Sequence, residues 1–241
     1  KVLNPALDSA LFLGLGGGSG PKSFLRHYRD MDIYVAEIDP VVEAVAREFF
    51  ALPDDPRLDI AIADGRTFLQ RSRRSYGIIV VDAYASGPYG SFLPYHLATE
   101  EFFRLAWNRL EHGGGLAYNI VGAVGGENGA TVRDLRATIA RVFQVVYTFQ
   151  AASSVNTVVV AMKLDPALTA PEWPRGPWLE HPASPTQLAE LARVLMTGQA
   201  VGLPGMERRI TQLSPIHDAP FEGRILTDNY APVDLAPGMR R

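Results

Sequence analysis

The sequence predicts an α/β protein with a mainly parallel sheet that carries helices on both faces. Segments typical of strands alternate with segments typical of helices along most of the chain. The first five strand segments are nearly continuous apolar runs, which is typical of strands buried on both faces. The first of them enters a glycine-rich turn that a helix follows. With 241 residues, of which 47% are apolar, the chain is long enough for one large domain of this class.

The glycine-rich turn lies between a strand predicted over 10–15 and a helix predicted over 21–28. It contains five glycines within the seven residues 14–20. A strand, a glycine turn and a helix in this order bring the backbone close to a nucleotide-like ligand, because a Cβ atom would block that approach. A glycine cluster alone also fits an ordinary loop, so the interpretation depends on the rest of the chain.

The remaining elements are predicted from apolar periodicity and from helix-capping residues. Further strands are predicted over 32–36, 58–63, 76–81 and 116–121, with a closing antiparallel pair over 144–150 and 156–162. Helices are predicted over 41–50, 67–74, 100–111, 127–142 and 185–197. Pro40 and Thr99, which precede the first and third of these helices, are typical of helix N-termini. The assignments give a seven-stranded sheet.

Glycine and proline predict the loops and the domain organisation. We expect a long loop over 83–98 and a turn over 113–115. Prolines and two tryptophans without periodicity fill residues 165–185, which we interpret as a linker or a wrapping segment. We therefore expect a nucleoside-binding catalytic domain over 1–163. A Pro-rich segment, a helix and a C-terminal motif over 164–241 are expected to pack on the same domain.

Three of the first four predicted strands end in an acidic residue, namely Glu37, Asp64 and Asp82. The carboxyl ends of parallel strands meet at one edge of a sheet, where ligands bind. Glu37 follows the glycine turn by about twenty residues, and a carboxylate there can accept hydrogen bonds from both hydroxyls of a ribose. Asp64 can accept one from the exocyclic amine of adenine. The alternative is that Glu37 and Asp64 are solvated strand ends or helix caps.

Two classes of adenosine-containing ligand fit this pattern. A nicotinamide dinucleotide would need a second mononucleotide-binding half. The predicted sheet instead ends in an antiparallel pair, as in S-adenosylmethionine-type transferases. We therefore favour an adenosine sulfonium ligand.

Composition excludes several other classes of protein. The net charge is −3, so no basic surface indicates a nucleic acid partner. The chain has no cysteine, which excludes disulfides, thiolate nucleophiles and cysteine-ligated metals. No apolar run reaches the roughly 18 residues of a membrane span, and no signal peptide is visible. We therefore expect a cytoplasmic protein. The sequence begins at Lys1 rather than at a methionine and is compatible with a piece of a longer protein.

Six motifs together carry a resemblance to a known family. They are Gly-Leu-Gly-Gly-Gly-Ser at 14–19, Glu-Ile-Asp-Pro at 37–40, Asp-Gly-Arg at 64–66, Asp-Ala-Tyr at 82–84, Pro-Tyr-His-Leu-Ala-Thr at 94–99 and Leu-Thr-Asp-Asn-Tyr-Ala-Pro-Val-Asp at 226–234. The sequence resembles the spermidine synthase-like proteins, the aminopropyltransferase branch of the class I S-adenosylmethionine-dependent methyltransferase fold. The resemblance covers roughly residues 8–163 and the C-terminal motif. It implies a Rossmann-like fold with helices on both faces, and none of the motifs decides the reaction.

The resemblance implies how the donor nucleoside is bound. Its amino-acid or aminopropyl side would lie in the glycine turn, against Gly16, Gly17 and Gly18, and we add Gly14 and Ser19 of the same turn to the donor-binding candidates. Glu37 would hold the ribose, and Ile38 would lie against the adenine. Asp64 and Gly65 would meet the adenine edge. The implied donor is decarboxylated S-adenosylmethionine or S-adenosylmethionine, the product is methylthioadenosine or S-adenosylhomocysteine, and no metal is involved.

The resemblance also implies the catalytic residues and the partners. Asp82 matches the first aspartate of the family's catalytic loop, which helps to orient and deprotonate the attacking amine. Tyr84 lies beside it and is the second catalytic candidate. The acceptor would be a small-molecule amine, as in polyamine biosynthesis. Related transferases are often dimers, so the sequence leaves a monomer and a homodimer as alternatives.

The sequence departs from the family pattern at three places. Ser19 stands where true spermidine synthases have an aspartate that binds the donor ammonium. The second catalytic aspartate has no match among residues 85–87. We also expect no counterpart of the N-terminal β-domain that serves the polyamine site in the family. A different acceptor pocket can be built from Tyr84, Tyr89, Tyr95, His96, Asp228 and Tyr230, although each of these taken singly also fits a packing role. We expect residues 227–230 to fold back near the loop after Asp82.

These departures keep two other functions open. The glycine motif without its aspartate also resembles the spermidine synthase-like domain of some protein methyltransferases. Ser19 can hydrogen-bond the carboxylate of S-adenosylmethionine, where an aspartate would repel it. The runner-up is therefore an S-adenosylmethionine-dependent methyltransferase. A third possibility is a nucleoside-binding homologue without turnover.

Overall fold

An eight-stranded mixed sheet organises the part of the chain that the structure describes. This computed structural model describes residues 7–87, 90–122, 129–143, 145–151, 156–163, 213–215 and 223–230. A separate two-stranded hairpin follows the fourth strand. The predicted α/β class with helices on a mainly parallel sheet is confirmed.

The strands and helices alternate as the apolar pattern predicts. The sheet strands are β1 (Ser9–Leu13), β2 (Asp32–Glu37), β3 (Leu58–Ile62), β4 (Tyr76–Val81), β7 (Leu110–Val121), β8 (Val145–Ala151), β9 (Asn156–Met162) and β10 (Leu213–Pro215), and the hairpin is β5 (Ala85–Gly87) with β6 (Gly90–Phe92). The helices are α1 (Ser19–His27), α2 (Pro40–Phe49), α3 (Gly65–Arg71), α4 (Glu100–Arg109) and α5 (Ala130–Ala140), with a 3-10 turn over Tyr95–Leu97.

The strand order across the sheet is β3-β2-β1-β4-β7-β9-β8-β10. Strands β1 to β4 and β7 are parallel, and β9 runs antiparallel between β7 and β8. Strands β8 and β9 are the antiparallel pair that the sequence predicts. The sheet has eight strands rather than seven, because the three-residue β10 adds to the edge beside β8.

Strand β1 shows why the apolar runs form central strands. Leu11 and Leu13 pack into the core on one face of the sheet, whereas Ala10 and Phe12 pack into the core on the other. All four are buried. Successive side chains of a strand point to opposite faces, so a strand covered on both sides needs an unbroken apolar run.

Two loop predictions were incomplete. The loop over 83–98 contains the β5–β6 hairpin and the 3-10 turn. The turn predicted over 113–115 lies inside β7, where the backbone of Gly113 and Gly114 exchanges hydrogen bonds with Lys163. A Cβ on Gly114 would lie 2.7 Å from the Gly77 carbonyl oxygen, so glycine serves close strand packing here rather than a turn.

The helix predicted over 185–197 lies outside the described residues. None of the helices in the described ranges is long and apolar enough to cross a bilayer.

Candidate functional site

The glycine turn lies between the carboxyl ends of β2 and β4. The Gly14 nitrogen donates to the Ala36 carbonyl oxygen at 2.9 Å, and the Asp82 nitrogen donates to the Leu13 carbonyl oxygen at 3.0 Å. Gly14 has a φ of +97°, and a Cβ there would lie 2.5 Å from the Asp82 carbonyl oxygen. Glycine at this position therefore allows the ends of β1 and β4 to meet at one edge.

The following glycines have different surroundings. Gly16 has a φ of +53°, and a Cβ built there would have no heavy atom of the described residues within 4 Å, so within the described ranges this face of the turn is open. A Cβ on Gly17 would lie 3.0 Å from the Phe50 ring. Gly18 has a φ of +68° and caps α1, whose first residue is the exposed Ser19. The first turn of α1 contains no acidic residue, so its positive end is not neutralised locally.

Glu37 is buried against this turn. Its Oε2 accepts a hydrogen bond from the Leu15 nitrogen at 2.8 Å, and its Oε1 accepts one from the Asp39 nitrogen at 3.0 Å. Each carboxylate oxygen retains a second lone pair for a ligand. The structure therefore positions a fixed carboxylate beside the glycine turn, where the sequence predicts a ribose.

Two exposed apolar side chains flank Glu37. Ile38 is 68% exposed, and Ile62, the last residue of the neighbouring strand β3, is 46% exposed. Exposed isoleucines beside a buried carboxylate give an apolar surface on which a flat ring can lie. Ile38 was expected at this place and Ile62 was not, although its position at a strand end was an available signal.

Both carboxylate oxygens of Asp64 have partners, one in the helix cap named above as an alternative and the other on His96, which the sequence did not predict. Its Oδ1 accepts a hydrogen bond from the Thr67 nitrogen at 2.8 Å and caps α3, while its Oδ2 lies 2.8 Å from Nε2 of His96. Burial disfavours the ionised carboxyl, but the hydrogen bonds from Thr67 and His96 outweigh it and lower the Asp64 pKa. Gly65 begins α3, and a Cβ there would lie 3.3 Å from the Leu13 side chain, so tight packing on β1 explains this glycine.

Asp82 is exposed at the end of β4. Its Oδ1 accepts a hydrogen bond from Nδ2 of Asn119 at 2.8 Å, and Asn119 lies near the end of the adjacent strand β7. Among the residues that the structure describes, Oδ2 has no hydrogen-bond partner. Asn119 was not expected at the site, because an amide inside a predicted strand has no distinguishing pattern.

The Tyr84 hydroxyl is engaged with the backbone of β7. It donates to the Asn119 carbonyl oxygen at 3.1 Å and accepts from the Val121 nitrogen at 2.6 Å. Burial raises the Tyr84 pKa. These contacts hold the start of the loop after Asp82 against β7. A catalytic role for the Tyr84 hydroxyl stays a prediction.

The C-terminal segment 223–230 packs on the other end of this loop. Asp228 accepts two hydrogen bonds from the Arg66 guanidinium, at 2.7 and 2.6 Å, and one from the Thr99 hydroxyl at 2.7 Å. The same guanidinium donates to the His96 carbonyl oxygen at 3.1 Å. The segment therefore reaches residues 96–99, as the sequence predicts.

The remaining acceptor-pocket candidates differ in their surroundings. Tyr95 is 48% exposed and its ring meets the His96 ring edge-on at a centroid distance of 5.6 Å. Tyr230 is 51% exposed and its hydroxyl accepts from Arg224. Tyr89 lies outside the described residues. No group of three or more metal-ligating side chains occurs within the described ranges.

The strand order, with the antiparallel strand β9 inserted between β7 and β8, is that of the class I methyltransferase-like folds. The human methyltransferase-like protein 13 in complex with SAH shares this fold, with a TM-score of 0.65 at 23% identity over 81% of this chain and 86% of that chain. Residues 5–159 match the family model of the spermine/spermidine synthase domain. The chain belongs to this family.

The curated relatives are longer than this chain. The probable polyamine aminopropyl transferase of Bifidobacterium longum is 32% identical over 136 residues, which is 56% of this chain and 29% of the relative. The polyamine aminopropyltransferase of Vibrio vulnificus is 31% identical over 121 residues, which is 49% of this chain and 39% of the relative. The chain thus spans well under half the length of either relative.

Proposed function

We propose that this protein transfers an aminopropyl group from decarboxylated S-adenosylmethionine to a small-molecule amine, in polyamine biosynthesis. The observation that carries the proposal is the position of Asp82. Asp82 follows β4, and its backbone adjoins the glycine turn at Gly14. One carboxylate oxygen is held by Asn119, and the other has no hydrogen-bond partner among the residues that the structure describes. A donor and an amine acceptor can therefore meet at one edge of the sheet.

The donor nucleoside is bound by three adjacent features. The Glu37 carboxylate accepts hydrogen bonds from the ribose hydroxyls, as charge-assisted bonds that a neutral side chain would make less well. The exposed side chains of Ile38 and Ile62 contact the adenine ring. The open face at Gly16 admits the aminopropyl side of the sulfonium.

The reaction is a displacement at the carbon next to sulfur. The amine nitrogen forms the new C–N bond while the C–S bond breaks, and the electron pair of that bond stays on sulfur as methylthioadenosine. The amine must be neutral to attack and carries a positive charge as the bond forms. Asp82 Oδ2 accepts the amine's hydrogen bond and takes its proton, so the residue contributes both orientation and general-base catalysis.

Similarity to the family supports this assignment. The matched region contains the glycine turn, Glu37, Asp64 and Asp82, and the two curated relatives are named as aminopropyl transferases.

One observation favours methyl transfer as a second candidate. Ser19 begins α1, and no acidic residue lies in the first turn of that helix. Backbone N–H groups at such a helix end can bind the carboxylate of S-adenosylmethionine, which the decarboxylated donor lacks. The methyltransferase with the same fold was solved with SAH.

A binding comparison of the two donors tests the proposal. Calorimetry and thermal denaturation would be run with S-adenosylmethionine and with its decarboxylated form, because a ligand at 100 times its Kd stabilises the fold by about 2.7 kcal/mol. Mass spectrometry would then detect aminopropylated products from a panel of diamines and monoamines. Tighter binding of the decarboxylated donor together with an aminopropylated product supports the proposal. Tighter binding of S-adenosylmethionine with methylated products contradicts it, and binding without any product indicates a homologue without turnover.

A further inference from the structure

The Asp82 carboxylate has a neutral partner, Asn119, on the neighbouring strand. Nδ2 of Asn119 donates to Oδ1 of Asp82 at 2.8 Å across the ends of β4 and β7. We propose that Asn119 is a positioning residue that holds Asp82 so that Oδ2 faces the acceptor amine. This inference rests on the proposed function of Asp82.

Two partners specify the same orientation of the Asn119 amide. Nδ2 of Asn156 donates to Oδ1 of Asn119 at 3.3 Å, on the side of the amide opposite the bond to Asp82. A flipped amide would bring two oxygens together at Asp82 and two NH2 groups together at Asn156. The donor side of Asn119 therefore stays directed at Asp82.

The backbone around Asn119 is also held in place. Asn119 is paired with Val158 in the β7–β9 ladder. The Tyr84 hydroxyl bridges the Asn119 carbonyl oxygen and the Val121 nitrogen. The chain segment that starts at Asp82 is thus attached to the end of β7 at two points, by a carboxylate and by a hydroxyl two residues later.

The chemistry of an amide suits this task. Asn119 donates a hydrogen bond to one carboxylate oxygen without carrying a positive charge, so Asp82 keeps its negative charge for the incoming amine. A lysine or an arginine would form an ion pair with Asp82 and compete with the acceptor. An aspartate at position 119 would repel the Asp82 carboxylate. Asn119 therefore orients the carboxylate and leaves Oδ2 available.

Two variants remove the hydrogen bond in different ways. Asn119→Leu removes the amide, and Asn119→Asp keeps the shape but replaces the donor with an acceptor. We expect each to lower kcat by about 10-fold to 100-fold, because small displacements of a catalytic group cost this much. The Kd for methylthioadenosine should change by less than about twofold. Asn108→Leu, at an exposed position of α4, is the matched control and should leave both quantities unchanged.

The outcomes distinguish this inference from the proposed function. An active wild-type enzyme whose Asn119 variants keep kcat within about twofold overturns the inference alone. If the wild-type protein transfers no group to any amine, the proposed function fails, and crystal structures then test the inference by themselves. Several Asp82 rotamers in Asn119→Leu, against one in the wild type, support it. An unchanged single rotamer overturns it. Asn119→Asp serves the same purpose if the leucine variant does not fold.

Discussion

The Glu37 carboxylate lies 2.8 Å from the Leu15 nitrogen, and this hydrogen bond joins the acid at the end of β2 to the glycine turn after β1. This contact therefore links the two features that the proposed function assigns to the donor. The side chain is buried, and the described residues provide it with no cationic partner. Backbone donors thus fix the carboxylate while leaving its charge for the ligand.

Removal of this carboxylate should weaken donor binding. We expect Glu37→Ala to lower the affinity for methylthioadenosine by roughly 1.5–3 kcal/mol, the value of hydrogen bonds to a charged group. Calorimetry measures the change. Glu48→Ala, at an exposed position of α2, is the control. Unchanged affinity in a folded Glu37→Ala protein would remove Glu37 from the site.

Asp82→Asn should separate binding from turnover. The amide keeps the size of the side chain but cannot take a proton from the amine. We expect donor affinity to be retained and kcat to fall by at least about 100-fold, the lower range for a positioned general base. Single-turnover kinetics with the acceptor amine measures this. Asp54→Asn, on an exposed loop, is the control, and a wild-type rate in Asp82→Asn would show that this carboxylate is structural.

Two glycines of the same turn should respond differently to alanine. Gly14→Ala places a Cβ 2.5 Å from a backbone oxygen at a positive φ, so we expect a loss of about 3–5 kcal/mol in the free energy of unfolding. The Cβ of Gly16→Ala would lie in open space within the described ranges. We therefore expect this variant to lose only about 1–2 kcal/mol in the free energy of unfolding, because alanine is strained at a positive φ.

Gly16→Ala should nevertheless weaken donor binding, because the new methyl group occupies the open face of the turn. We expect a loss in affinity of about 1–3 kcal/mol, the usual cost of a poorly fitting group in a packed contact. Urea denaturation and calorimetry on both variants measure the two effects. Equal losses of stability in the two variants would contradict the role assigned to Gly14, and unchanged affinity in Gly16→Ala would contradict the open approach.

The ion pair between Arg66 and Asp228 should make the free energy of unfolding depend on pH in the acidic range. The hydrogen bonds from Arg66 lower the Asp228 pKa below its ordinary value. A carboxyl with a lowered folded-state pKa contributes stability above its unfolded-state pKa, roughly pH 4, and loses it as the pH falls through the folded-state value. We expect Asp228→Asn to cost about 0.5–1 kcal/mol at pH 7, a small value because the Asp228 side chain is 42% exposed.

Urea denaturation of the wild type and of Asp228→Asn at several pH values tests this expectation. The difference in the free energy of unfolding should be present at pH 7 and should shrink below about pH 4. Asp54→Asn is again the control. A difference that is constant down to strongly acidic pH would show that Asp228 stabilises the C-terminal segment through its shape rather than through its charge.

Most of the sheet could be predicted because its strands carry local patterns. Strands β4 and β9 have the predicted bounds, and Thr99 caps α4 as expected. The glycines at 113–115 misled the prediction, because their use depends on Gly77 in strand β4 and on Lys163, which directly follows β9. The edge strand β10 has only three residues, which is too short for a periodicity to be visible.

By itself the sequence determined the order of the longer sheet strands and of the helices in the described ranges, the glycine turn and the acids at the ends of β2, β3 and β4. It did so because apolar periodicity is local and because the carboxyl ends of parallel strands share one edge. Only the tertiary structure decided which side chains hold these acids. Asn119 reaches Asp82 across 37 positions, His96 reaches Asp64 across 32, and Arg66 reaches Asp228 across 162. Hydrogen bonds between residues so far apart have no local signature, since chain folding alone brings the partners together.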